Sequence, residues 1–157
     1  MNKKEDIYKI TSIILMLDQF IKIIVNHNMK INTGLQIIPH FFSLTFVKNT
    51  GAAFSILEDS TLLLIVISVV FIIILDRYIK QEKNFTKPLV ISLGMIMGGI
   101  FGNLIDRIIH HGVIDYLDFT IFKYHFPIFN LADIGITVGV FILLISMIKD
   151  GIKERTK

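Results

Sequence analysis

"FPIFNLADIGITVGVFILLISMI", residues 126–148, decides how this chain is read. From Gly135 onward it carries no charge until Lys149, yet Asn130 and Asp133 stand at its mouth. A bilayer core about 30 Å thick is crossed by around 20 helical residues, and the window 129–148 supplies them. On insertion scales a central Asp or Lys costs roughly 2.5–3.5 kcal/mol. A carboxylate at the start of such a segment therefore needs a reason.

Outward from this helix, three further windows are long and apolar enough to span: 7–26, 60–79 and 88–108. The second contains "STLLLIVISVVFIIIL" (60–75), without a single charge. Hydrophobic residues make up 53% of the 157, above the roughly 45–50% of a soluble domain even with glycine counted. The composition thus predicts one integral membrane domain over 1–157, mainly α, with four transmembrane helices. It disfavours a soluble protein with buried helices.

Basic residues set the orientation. The N-terminus (Lys3, Lys4, Lys9), the link after helix 2 (Arg77, Lys80, Lys83, Lys87) and the tail (Lys149, Lys153, Arg155, Lys157) hold eleven of the sixteen Lys and Arg. Four helices place these three segments on one side, which predicts both termini in the cytoplasm. Segments 27–59 and 109–128 then face outward. Asp18 and Lys22 interrupt the first apolar run and no small-residue cleavage site follows, so the first helix reads as retained rather than as a signal peptide. The absence of cysteine excludes disulfides and a thiol nucleophile.

The outer segment, about 30–57, has no helical period. Short β-branched and aromatic runs around Pro39, with "KNTGAA" as a turn, predict a small extracytoplasmic β-sheet on the membrane surface. Phe41, Phe42, Phe46 and Phe54 argue against leaving it in water. In helix 3, Gly94, Gly98 and Gly102 recur on one face, a spacing that lets a neighbouring backbone come close in lipid. "GVIDYLD" (112–118) reads as a loop.

Polar residues gather near the outer helix ends. Asp18 and Lys22 are four apart and can pair. Asn103, Asp106 and Arg107 close helix 3, Asp115 and Asp118 follow in the loop, and Asn130 and Asp133 open helix 4. Each alone has a structural reading. Asp18–Lys22 would fix packing, Asp106–Arg107 would snorkel at the interface, Asn130 would cap helix 4 with Asp133 at its positive end, and Asp118 would be solvated.

Together they suggest more. Two close carboxylates resist joint ionisation, so one keeps a proton while the other acts as base. Such a pair can activate water against an amide and protonate the leaving amine. Ser55 has no obvious lysine beside it, Lys48 being nearest in sequence. His110, His111 and His125 lack a metal-binding spacing, so neither a metal nor another cofactor is expected.

The ordered set "DQFIK", "KNTGAAFSI", "GNLIDR", "GVIDYLD" and "FPIFNLAD" resembles the lipoprotein (type II) signal peptidases, aspartic proteases of the bacterial cytoplasmic membrane. The resemblance spans about residues 10–148. It implies removal of the signal peptide from prolipoproteins, on the amino side of a cysteine carrying diacylglycerol. It also implies a catalytic dyad of Asp115 and Asp133, with Asp18, Lys22, Asn49, Gly51, Asn103, Arg107, Asn130 and Ala132 around it. Asp106 matches too, and spacing alone does not rank it below Asp115. Asn49 and its neighbouring backbone would hold the substrate chain, and Arg107 would orient or neutralise a carboxylate. The expected partners are the lipidated substrate, membrane lipid and the inhibitor globomycin, without nucleic acid, and the expected state is a monomer. The active site would lie near the extracytoplasmic face.

A proton-coupled transporter with Asp18, Asp106 and Asp133 as its relay is the rival. It would want charges at mid-membrane and repeat symmetry between halves. A structural scaffold leaves the carboxylates without a purpose.

Overall fold

The computed structural model describes residues 2–51 and 60–155. Helix α1 spans Lys3–Asn28, α2 Thr61–Gln81, α3 Lys87–His110 and α4 Leu131–Arg155. Strands β1 (Thr33–Ile38) and β2 (Phe42–Asn49) follow α1, and β3 (Val113–Ile121) and β4 (Tyr124–His125) lie between α3 and α4. Three helical stretches are long and apolar enough to cross a membrane: α2, α3 and Leu131–Lys149 of α4. Exposed Leu62, Leu63, Val66, Val70, Phe71 and Ile74 run along α2, the surface that lipid, not water, would cover.

Helix α3 is the axis of the bundle and packs against each of the other three. Its glycines allow this. A Cβ at Gly94 would lie 2.7 Å from Ile10, and one at Gly98 would lie 2.8 Å from Ile14 and 2.9 Å from the Thr11 carbonyl, both on α1. One at Gly99 would strike the backbone of Ala132 on α4. Tight backbone approach replaces the hydrophobic drive that is missing in lipid.

Both outer segments build one antiparallel sheet in the order β1-β2-β3-β4. The predicted loop 112–118 is therefore largely strand β3. His111 makes this possible: its left-handed backbone (φ 54°) closes α3 and turns the chain straight into the sheet. Phe42, Phe119 and Phe129 stack across the strands. Val25 of α1 packs with Phe46, Ile114 and Tyr116, which seats the sheet on the bundle. Residues 52–57 of the predicted outer segment, including Phe54 and Ser55, lie outside the described residues, as do the last two positions of the predicted "KNTGAA" turn, whose Lys48 and Asn49 instead end strand β2.

Candidate active site

The first turn of any helix leaves backbone N–H groups without partners, and α4 fills them from three elements. Leu131 N–H donates to the Tyr116 hydroxyl on β3 (3.2 Å), Ala132 N–H to Asp18 Oδ1 on α1 (2.9 Å), and Asp133 N–H to Asn130 Oδ1 (3.0 Å). Asp133 Oδ2 in turn accepts the Asn130 N–H at 3.1 Å. The reciprocal Asn130–Asp133 pair is a capping box with Asn and Asp in place of Ser/Thr and Glu/Gln. Asn130 thus caps helix 4 as its sequence position suggests, and it does more besides.

Behind this turn lies a charge cluster. Lys22 Nζ sits 2.8 Å from Asp18 Oδ2 and 2.9 Å from Asp106 Oδ2, with all three side chains buried. Its third proton goes to Asn103 Oδ1 at 2.9 Å. An ammonium has three donors and no acceptor, so Lys22 is fully used. Asp106 also accepts the Ile114 N–H (3.0 Å) and Gln19 Nε2 (3.0 Å). It does not form the interfacial pair with Arg107 that adjacency suggested. Arg107 instead donates to the backbone carbonyls of Gly51 (3.2 Å) and Asn103 (3.4 Å). A helix face three or four residues wide explains the difference: Asp106 points into the bundle, and its neighbour points to the rim.

Asp115 and Asp133 are held in another way. Asp115 Oδ1 accepts Asn130 Nδ2 at 2.6 Å and Oδ2 accepts Asn49 Nδ2 at 3.0 Å. Strand register makes the second contact, since Asn49 pairs with Val113 and Asp115 is its diagonal neighbour on the same face. Asp133 Oδ1 accepts Asn103 Nδ2 at 2.8 Å. Neither carboxylate makes an ion pair among the described residues. Burial pushes the Asp115 carboxyl up to about 7, the Asp133 charge adds to it, and the Asn49 and Asn130 hydrogen bonds oppose it. Asp115 is buried at 2% exposure, whereas Asp133 is half-buried and so the more accessible of the two.

All eleven residues singled out from the sequence sit in or beside this arrangement. Gly51 N–H donates to the Asn49 side-chain Oδ1 at 2.9 Å, and Ala132 is wholly buried beneath Asp18. Asp118 is a correction: it lies in β3, half-buried, and accepts Thr45 Oγ1 at 2.7 Å instead of standing in solvent. Gln19 and Tyr116 were missed. Gln19 joins Asp106 to the Gly102 carbonyl at 3.1 Å, and only its place inside "DQFIK" hinted at it. Among the described residues no group of three His, Cys, Asp or Glu is placed to hold a metal.

With this geometry in hand, comparison with known proteins is specific. The sequence model of the family described as Signal peptidase (SPase) II matches residues 10–149. The chain is 33% identical over 144 residues to a lipoprotein signal peptidase of Staphylococcus aureus (strain JH9), covering 92% of this chain and 88% of that one. Two solved structures described as bacterial membrane enzymes, obtained by the in meso method, share 33% identity with it. They superpose with TM-scores of 0.85 and 0.81, over 90% of this chain in each case and 87% and 91% of theirs.

Proposed function

This chain belongs to the signal peptidase II family, and on that premise we propose that Asp115 and Asp133 are its catalytic dyad. The activity is that of the family: an aspartic peptidase in a multi-pass bacterial membrane protein, cleaving signal peptides from prolipoproteins. One observation carries the choice of residues. Of the four buried or half-buried carboxylates at the site, Asp18 and Asp106 are bound to Lys22, while Asp115 and Asp133 are bound only by neutral donors. A carboxylate locked to an ammonium cannot readily take up and release protons. A carboxylate held by amides can.

In this reading one carboxylate removes a proton from water as the oxygen attacks the scissile carbonyl. The other, protonated, hydrogen-bonds that carbonyl, and the proton then passes to the departing amine as the C–N bond breaks. Asp115 suits the protonated role, being buried and pushed up to about 7. Asp133 is the more open and suits the base. The scissile bond lies on the amino side of the diacylglyceryl cysteine, whose acyl chains stay in the bilayer and hold it at the depth of the dyad.

Helix α1 is the fourth span. Its 26 residues carry Asp18 and Lys22, but both turn inward, and Ile13, Met16, Leu17, Phe20 and Ile23 cover its outer face. The connection between α2 and α3, with Arg77, Lys80, Lys83 and Lys87 in and around it, and both termini then share the cytoplasmic side. α3 runs from that link to the sheet, which supports an extracytoplasmic site. A monomeric enzyme that binds globomycin completes the proposal.

The test is cleavage of a diacylglyceryl-modified prolipoprotein by purified variants. Asp115→Asn and Asp133→Asn should each lose cleavage while remaining folded and inserted. Near-normal turnover in either removes that residue from the dyad and makes Asp106 the candidate.

A further inference from the structure

The three amides that hold the two carboxylates all have a fixed polarity. Turning an amide end for end exchanges an acceptor for a donor. The Asn49 carbonyl receives the Gly51 N–H, so its NH₂ faces Asp115. The Asn130 carbonyl receives the Asp133 N–H, so its NH₂ also faces Asp115. A backbone N–H pins each of these two. Asn103 is different: its Oδ1 receives Lys22 Nζ at 2.9 Å and Asn130 Nδ2 at 3.1 Å, and its NH₂ faces Asp133 Oδ1 at 2.8 Å.

We propose that Lys22 is a positioning residue for Asp133, acting through Asn103. The ammonium pins the Asn103 carbonyl, so the amide must present its donor to the carboxylate. A flipped Asn103 would set its NH₂ against the ammonium and the Asn130 NH₂, and its carbonyl against Asp133. All three contacts would become repulsive. Lys22 and Asn103 are 1% and 7% exposed, leaving little water to relieve the mismatch. Asp18 and Asp106 then serve to hold the ammonium at its post. Asp133 is thereby gripped at both oxygens, by Asn103 at Oδ1 and by the Asn130 N–H at Oδ2. A misplacement of about 1 Å at a reacting group can cost about a hundredfold in rate, so this grip bears on turnover rather than on substrate binding.

The inference rests on Asp133 belonging to the dyad, and the experiment separates the two. Cleavage kinetics are measured per folded molecule for Asn103→Ala, Lys22→Met and the double variant. Asn103→Ala leaves Lys22 with Asp18 and Asp106, so the charge cluster survives. A hydrogen bond to a charged group carries about ten- to a hundredfold. Each single variant should lower kcat by about that factor with KM within about twofold, and the double variant should be no worse than either single one. Lys22→Met leaves two buried carboxylates facing each other. Should it not accumulate, Asp18→Asn/Lys22→Met/Asp106→Asn removes the charges together and enters the same cycle. Effects that multiply in the double variant, a change confined to KM, or a normal kcat in Asn103→Ala would overturn the inference. Asp133→Asn is the control: if it still cleaves, the dyad reading fails, whereas an inactive Asp133→Asn beside a normal Asn103→Ala sinks only the positioning role.

Discussion

Two glycines one turn apart on α3 allow packing to be separated from chemistry. A Cβ at Gly102 would overlap Asp18 Oδ2, lie 3.1 Å from Asp18 Cγ and 3.3 Å from the Ala132 Cβ. A Cβ at Gly98 would meet Ile14 Cβ at 2.8 Å and the Thr11 carbonyl at 2.9 Å. Overpacking typically costs about 1–3 kcal/mol, and replacing a helical glycine with alanine returns up to about 1 kcal/mol. Both variants should therefore lose about 1–2 kcal/mol. For a chain of this length that corresponds to a Tm lower by about 2–8 °C.

The two should part in turnover. At Gly98 the strain falls on the Ile14 side chain and the Thr11 carbonyl of α1, neither of which belongs to the charge cluster. At Gly102 it falls on a carboxylate that cannot rotate without releasing Lys22 at 2.8 Å or the Ala132 N–H at 2.9 Å. Stranding a buried charge costs about 3–5 kcal/mol, so Asp18 keeps its partners and α1 shifts as a body. Ala132 immediately precedes Asp133, and the shift reaches the first turn of α4. Cleavage per folded molecule should fall about tenfold or more in Gly102→Ala and stay within about twofold in Gly98→Ala. The assay is detergent-purified melting temperature beside cleavage of a lipidated precursor. Equal turnover in the two variants would refute the claim that Asp18 anchors the start of α4.

Two further outcomes are expected. Asp115 has a folded-state pKa of about 7 against 3.8 for the free side chain, so between those values the folded protein holds a proton that the unfolded chain has released. Its contribution is fully favourable at the acid end and is lost as pH rises through 7, on the order of 4 kcal/mol across the window. The difference in melting temperature between the protein and Asp115→Asn should shift in that sense with pH, and a flat difference would contradict it. For topology, a reporter fused after Gln81 should read cytoplasmic and one after Asn32 external; the reverse would move the site to the other face.

What could be read without coordinates was local. Asp18 and Lys22 pair because they are four apart on one helix, and Asn130 caps α4 because it precedes Asp133 by three. The glycine row of α3 predicted close packing, and it is there against α1. What could not be read depends on partners distant in the chain. Nothing in "GNLIDR" shows that Asp106 turns to a lysine 84 positions earlier while Arg107 turns away. Nor does "FNLAD" show that the N–H of Ala132 ends on Asp18. The strand over 113–121 was hidden because two aspartates in nine residues oppose strand propensity. Pairing with β2 and the Asn49 and Thr45 hydrogen bonds outweigh that preference.

The allocation of charge within the site bears directly on its chemistry. Asp18, Asp106, Asp115 and Asp133 share the region with two cations, Lys22 and Arg107. Were Lys22 to sit between Asp115 and Asp133, both would ionise, and the pair would lose the proton that acid catalysis needs. Instead Lys22 faces Asp18 and Asp106, and Arg107 bonds carbonyls at Gly51 and Asn103. Four carboxylates beside two cations favour retention of a proton in a buried site. Burial pushes Asp115 up to about 7, and its side-chain partners are the neutral amides of Asn49 and Asn130. The ion pairs of α1 and α3 thus do two things at once: they lock helices that lipid alone would not hold together, and they keep the ammonium off the two carboxylates proposed as the dyad.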